Sequence, residues 1–235
     1  YFVIVEAKFD HQHGNPKNLY FNENKDRFTK YLSKIHHVIV ESPVTTSYID
    51  CIKGANENYH RNQLLNGIEI SKSDIILISD LDEFPDIESI EYYKSRALDQ
   101  PFVLNQDMYY YYMNMKAPYN WNGTIMTRGN YYISGGKPQD LRDKRGSIDN
   151  LPMHGGWHFS YMGGSNAVKQ KIDSIYDGKE FEKDKDNFSI EEHIEKCFLH
   201  LPNKATLTKV NLEEIAYPSN IKNRFEELKF KGLMK

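Results

Sequence analysis

Ile75-Ile76-Leu77-Ile78-Ser79-Asp80-Leu81-Asp82-Glu83-Phe84-Pro85 is the stretch that decides the fold class. Four aliphatic residues run directly into three acids. An Ile-rich run of this length, closed by acids and a proline, reads as a central strand buried on both faces. Pro85 has no N–H to give and so stops the ladder. The acids then stand at the carboxyl end of the strand, where open α/β sheets place their ligands. If the chain stays extended, Asp80 and Asp82 leave the same face. Two carboxylates so placed repel each other unless a cation lies between them. Oxygen ligands of this kind suit Mg²⁺ or Mn²⁺. The plain alternative is a strand that ends in solvated acids before a turn.

Composition sets the frame. A chain of 235 residues suits one large α/β domain or two small ones. A net charge of -3 gives no argument for nucleic acid as a partner. Seventeen tyrosines suit a carbohydrate-stacking surface, and equally an ordinary half-buried sheet. Cys51 and Cys197 are too few to read as a disulfide framework. Reduced cysteines fit a cytoplasmic protein. No apolar run approaches the ~20 residues of a membrane span.

Taken in order, residues 1–7 read as a strand and 8–19 as a loop, followed by a helix near 22–32 and a strand from Ile35 to Val40. His11 and His13 have no third ligand nearby, so surface histidines are the simpler reading. A helix over 55–70 puts Arg61, Leu64, Leu65 and Ile68 on one face. Arg61 there is either paired with a core carboxylate or held toward an anion. Asp86 caps a helix over 87–98 with Ile87, Ile90 and Ala97 inward. Phe102 to Lys116 is β-rich, and two of its four consecutive tyrosines are expected inward. Trp121 falls in a Gly/Asn-rich turn before another strand.

Residues 134–153 carry many charges and little periodicity, which reads as a long loop, functional or disordered. Trp157 to Met162 reads as a strand. Gly163-Gly164-Ser165 opens a helix whose stripe is Val168, Ile172, Ile175 and Tyr176, with Gly178 as its stop. Such a turn either offers free N–H groups to an anion, with Lys169 or Lys171 adding charge, or is a tight turn with a serine cap. Helices near 190–198 and 211–215 and a basic tail complete the chain.

Ser79-Asp80-Leu81-Asp82-Glu83-Phe84-Pro85 resembles the Asp-x-Asp signature of nucleotide-sugar glycosyltransferases. More narrowly, the chain resembles the β-1,4-mannosyl-glycoprotein 4-β-N-acetylglucosaminyltransferases, the bisecting enzymes, and their microbial relatives. The supporting stretches are Tyr1-Phe2-Val3-Ile4-Val5-Glu6-Ala7, Arg61-Asn62-Gln63 and Gly156-Trp157-His158-Phe159-Ser160-Tyr161-Met162-Gly163-Gly164. The likeness covers most of residues 1–180.

Alternating strands and helices fit a three-layer α/β sandwich. The resemblance implies the glycosyltransferase A fold: one domain over 1–235 with a mixed, mostly parallel central sheet, and an additional strand and helix upstream of Tyr1. It implies inverting transfer of N-acetylglucosamine from UDP-N-acetylglucosamine to a glycan hydroxyl, with Mn²⁺ or Mg²⁺. It places Asp80, Asp82 and Glu83 among the catalytic acids, Asp80, Asp82 and His158 on the metal, and Arg61, Trp157, Gly163, Gly164 and Lys169 at the substrates. His154 rivals His158, but in extended chain the two stand about 13 Å apart, so one at most ligates. The proton acceptor stays open among Glu83, Asp107, Asp140 and Glu191. The other readings are an idle carbohydrate-binding protein on the same fold and a metal-dependent nucleotidyl or phosphoryl enzyme.

Overall fold

A computed structural model describes residues 1–51, 53–96, 98–174, 189–199 and 205–234. The chain forms two compact units: residues 1–74 with 128–144, and residues 75–127 with 145–173 and the described residues beyond 188.

In the first unit β1 (Phe2–Ala7) and β2 (Ile35–Val40) pair in parallel, with Ala7 opposite Val40. Ala7, Phe9 and Val40 are buried together. Glu6 is only 9% exposed and acts as a clamp. Its two oxygens accept from the Phe21 and Asn22 N–H groups at 2.8 and 3.1 Å, and His37 Nε2 lies 2.9 Å from the second. These bonds hold the short helix Tyr20–Glu23. Lys25–Lys34 then winds as a 3₁₀ helix, not the α-helix expected over 22–32. It buries no residue, and without packing a helix has little to stabilise it.

The helix expected over 55–70 ends early, as Ala55–Asn62 with a 3₁₀ turn at Gln63–Leu65. The charged stretch expected to loop over 134–153 instead holds the helix Pro138–Lys144 and a 3₁₀ turn at Arg145–Ser147. Pro138 takes the first helical position, where its missing N–H costs nothing. Pro138, Gln139 and Leu141 are buried.

The second unit contains a mixed sheet of β3 (Ile75–Ile78), β4 (Glu83–Pro85), β5 (Phe102–Tyr110), β6 (Met115–Arg128), β7 (Gly156–Ser160) and β8 (Thr208–Lys209). The order is β3-β6-β5-β7-β4, with β8 on β6. Pairing is parallel between β5 and β7 and antiparallel for β4–β7, β5–β6 and β6–β8. β3 is thus at one end of the order among the described residues, not central, and of its four residues only Ile78 is buried.

Pro85 does not close a ladder after the acids. The chain turns at Asp80–Glu83, with the Glu83 N–H donating to the Asp80 carbonyl at 3.1 Å, and re-enters the sheet as β4. Pro85 ends this terminal strand opposite Gly156, a position that tolerates a missing donor. Gly156 has φ +107°, and a Cβ there would stand 2.1 Å from the Phe84 carbonyl oxygen. Only glycine fits this approach.

Asp86 caps the next helix as expected, accepting from the Glu88 N–H at 3.1 Å. That helix, Ile87–Ser95, buries Tyr93 and packs Ile90 inward, but Ile87 is 69% exposed. Ile87 is the first helical residue and points off the start of the stripe. Ala97 lies outside the described residues.

Tyr109, Tyr110 and Tyr111 are all buried and Tyr112 is half-buried. The expected two-in, two-out division fails because β5 is covered on both faces, which buries Tyr109 and Tyr110 on opposite sides, and Tyr111, at φ 65° just past the strand, is buried too. Trp121 lies within β6, not in a turn.

Met108, Tyr110, Tyr161 and Val168 form a core on one face of β5 and β7. Tyr109, Trp157, Ile215, Tyr217 and Met234 form another. The C-terminal stretch is therefore packed core, not a loose basic tail: the Tyr217 hydroxyl donates to the Met113 carbonyl at 2.5 Å. Residues 211–215 are turns, and the helices there are Ser219–Lys222 and Phe225–Phe230. Ile190–Glu195 is helical as expected, closed by a Ser189–Glu192 capping box.

Candidate functional site

Strand register brings the polar residues of the second unit onto one sheet face. Glu83 on β4 pairs with His158 on β7, and His158 with Met108 on β5. Residues two apart on a strand share a face, so Gln106 lies on Met108's side, opposite Trp121 on β6. Glu83, His158, Gln106, Trp121 and Thr124 make a polar row. The intervening Trp157 joins the core with Tyr109 and Tyr217.

Glu83 is 5% exposed and both of its oxygens are engaged. Oε1 accepts from Trp121 Nε1 at 2.9 Å. Oε2 accepts from the Asp80 N–H at 3.1 Å and from the Thr124 hydroxyl at 3.4 Å. The Thr124 oxygen also lies 2.7 Å from Ser79 Oγ and receives Gln106 Nε2 at 3.4 Å. Gly123 leaves the space for Gln106, whose Oε1 would stand 1.9 Å from a Cβ there.

Asp82 sits at the turn between β3 and β4, with its side chain 31% exposed. Its Oδ1 lies 3.3 Å from His158 Nε2, and its Oδ2 accepts from Lys171 Nζ at 3.2 Å. Burial alone would push the carboxyl up; the His158 hydrogen bond and the Lys171 charge outweigh it and hold it at about 2. Asp82 is therefore ionised at any physiological pH. His158 is 6% exposed, and its Nδ1 is buried with no hydrogen-bond partner among the described residues. Its working nitrogen is the one that faces Asp82.

The expected strand 157–162 and the helix after the glycine pair both form, as β7 and Gly164–Ser174. Gly163 and Gly164 have φ +103° and +80°. The helix buries Val168 against Met108's cluster, and this docking carries Lys171 to Asp82. Ile175, Tyr176 and Gly178 lie outside the described residues. Lys169 does not approach the acids: its Nζ lies 2.8 Å from Glu191 Oε1, on the surface.

His154 and His158 part company as the extended-chain spacing requires. His154 Nδ1 lies 3.1 Å from Asp86 Oδ2 and its Nε2 3.6 Å from Asp107 Oδ2. Asp107 also pairs with Lys116 at 2.8 Å. The hydrogen bond to Asp107 raises the His154 pKa, burial opposes it, and Asp86 adds to the rise.

Arg61 belongs to the first unit, where it donates to Glu57 Oε1 at 2.6 Å and to Gln139. Glu57, its carboxylate partner, is a neighbour one turn away on the same helix. Asp140, in the same unit, accepts from the Lys137 N–H at the start of its helix. Trp157 is 4% exposed and packs against Tyr217 and His154, inside the core instead of along a surface.

Sequence reasoning missed Thr124, Gln106, Ser160 and the partnership of Trp121 with Glu83. The signal was Gly123, small enough to admit Gln106, in a run that otherwise reads as strand.

A divalent ion would find two protein donors here. Ligands at right angles about 2.1 Å from an ion stand about 3 Å apart, and the 3.3 Å between Asp82 Oδ1 and His158 Nε2 fits that spacing. Among the described residues, no group of three or more His, Cys, Asp or Glu side chains is arranged to hold an ion by itself. The remaining positions would fall to substrate and water.

The second unit is thus an α/β unit with an acidic turn after a strand, backed by a polar sheet face. The glycosyltransferase family 17 model matches residues 1–200, and the chain belongs to that family. No curated protein and no solved structure matches it. Membership makes it a glycosyltransferase, with a nucleotide-sugar donor and a glycan acceptor implied. Among the described residues, no helix is long and apolar enough to cross a membrane.

Proposed function

We propose that this protein is an inverting, metal-dependent hexosyltransferase that moves N-acetylglucosamine from its UDP donor to a glycan hydroxyl. The observation that carries the reading is Asp82, an ionised carboxylate held between His158 and Lys171 at the turn after β3. Asp82 and His158 would hold Mn²⁺ or Mg²⁺, with substrate and water in the remaining positions. When bound, the ion neutralises charge gathering on the leaving diphosphate.

The protein's own residues prepare that site. Glu83 acts as a positioning residue. It fixes the Asp80–Asp82 turn by accepting from the Asp80 N–H while anchored to Trp121 and Thr124 on β6. Preorganised acids of this kind need no rearrangement as charge develops. The Gly163-Gly164 turn supports an approach of the donor, because a side chain built at Gly164 would meet no atom within 4 Å.

The test is UDP release from UDP-N-acetylglucosamine with a glycan acceptor, with and without Mn²⁺. Release should require Mn²⁺ and should fall by about 10² or more in Asp82→Asn, the scale of losing one electrostatic stabiliser. Metal-independent release, or an Asp82→Asn variant of full activity, would reject the reading.

A further inference from the structure

Each oxygen of Asp82 faces one side-chain partner in this structure. Oδ1 faces His158, and Oδ2 accepts from the Lys171 ammonium. Lys171 reaches it from the helix Gly164–Ser174, across 89 residues of sequence. The ammonium also lies 3.4 Å from Ser160 Oγ and 4.6 Å from the centroid of the Tyr161 ring. The lysine side chain is 35% exposed, so water reaches the pair.

These facts fit a counterion built to leave. A lysine is a point charge on a flexible four-carbon stem, without the planar fork that locks arginine to a carboxylate. A partly exposed pair of this kind is weak and exchangeable. A cation between Asp82 Oδ1 and His158 Nε2 would stand beside the ammonium on Oδ2 and be repelled by it. The same ammonium is attracted to any anion arriving with that cation. Asp82 and Lys171 balance each other before loading; metal and diphosphate bring their own opposite charges and can separate them.

We propose that Lys171 is an exchangeable placeholder: it occupies Asp82 in the empty site and transfers to the donor diphosphate when metal and nucleotide bind. This rests on the metal-dependent reading above and adds a residue and an order of events to it. Lys171 is thereby both a brake on metal binding without nucleotide and a direct partner of the leaving group.

The two roles have opposite signs in one variant, which makes the test sharp. Mn²⁺ binding without nucleotide is measured from the loss of the free-ion paramagnetic resonance signal, and UDP binding at saturating Mn²⁺ by calorimetry. Lys171→Met should bind Mn²⁺ alone about fivefold more tightly, the equivalent of one partly exposed ion pair removed. The same variant should bind UDP about tenfold more weakly, the equivalent of removing one charge-assisted hydrogen bond. Lys229→Met, which breaks only a surface pair with Glu226, controls for general charge and should change neither.

A salt bridge that merely braces the fold would weaken both affinities or leave both alone, and either result overturns the proposal. If Lys171→Met fails to fold, the wild-type enzyme still decides. Its Lys171 ε-methylene resonance, assigned through Lys171→Gln, should move when Mg²⁺ and UDP are added together and stay when Mg²⁺ is omitted. No movement with both present overturns the exchange. Wild-type UDP binding that ignores Mn²⁺ would instead bring down the metal reading itself, so the two failures are distinct.

Discussion

Replacing Glu83 by Gln keeps the shape of the side chain and turns one of its acceptor atoms into a donor. The structure leaves no comfortable orientation for the new amide. Turned one way, its NH₂ faces the indole N–H of Trp121; turned the other way, it faces the backbone N–H of Asp80. The Thr124 hydroxyl can reverse its own proton, but neither N–H can. The first orientation costs less, because Trp121 is only half-buried while the Asp80 N–H is fixed by the turn. The loss is then one hydrogen bond to a charged acceptor, about 1.5–3 kcal/mol, and the two remaining bonds weaken as the acceptor becomes neutral. A total near 3 kcal/mol follows. The assay is urea denaturation read by tryptophan fluorescence. Both tryptophans, Trp121 and Trp157, lie in the second unit, so the signal reports the right transition. With a urea m-value of about 2 kcal/mol per molar, the midpoint should fall by about 1.5 M. A fall worth less than about 0.5 kcal/mol, the range of an ordinary surface change, would refute the anchoring of the turn by Glu83.

Gly156→Ala should be worse tolerated than any surface change, because its Cβ would stand 2.1 Å from the Phe84 carbonyl at a φ of +107°; loss of more than about 3 kcal/mol is expected, and a soluble variant with wild-type melting would contradict the β4–β7 register. Gly164→Ala meets no atom but carries φ +80°, so folding should lose only about 1 kcal/mol of backbone strain, and a fall in UDP affinity beyond that proportion is expected if donor approaches the turn. His154 gives a pH signature: its folded pKa is raised by Asp107 and Asp86 against the opposing effect of burial, so its contribution is complete below the unfolded value of about 6.5 and disappears as pH rises through the folded one. The side chain is 39% exposed, so solvent screening limits the effect to about 0.5 kcal/mol, and His154→Gln should flatten the melting temperature between pH 6 and 8; an unchanged slope would disprove the Asp86–His154–Asp107 bridge.

Much of the second unit was legible because it follows local rules. The Asp86 cap, the strand through His158 and the helix opened by Gly163-Gly164 each need only neighbours in sequence. The failures share a different cause. Ile75–Ile78 reads as central because it is uniformly aliphatic, yet position in a sheet is set by which strands pair, and β3 stands at the end of the order. Pro85 reads as a stop because it lacks a donor, but a terminal strand asks for donors on one side only. Residues 134–153 show no helical period because Pro138–Lys144 is two turns long, and two turns can bury Pro138, Gln139 and Leu141 without repeating anything. The tyrosine run alternates, but both faces of β5 are covered by core, so alternation does not leave half of it outside.

The three acids of the opening motif show why the site was less legible than its location. Sequence supplies their charge and spacing; the fold supplies their partners, and the partners divide their roles. Glu83 receives donors fixed by the strand ladder and by its own turn, so it is held as structure. Asp80 contributes its backbone to that same turn, donating to Glu83 and accepting from it. Asp82 has a lysine and a histidine as side-chain partners, one on a flexible stem and partly exposed, the other aimed at it from β7. A carboxylate bound to strand-fixed N–H groups cannot change ligands without unfolding something. A carboxylate bound to a movable ammonium can. On that ground Asp82 is an acid whose side-chain partners can change without disturbing the strand ladder.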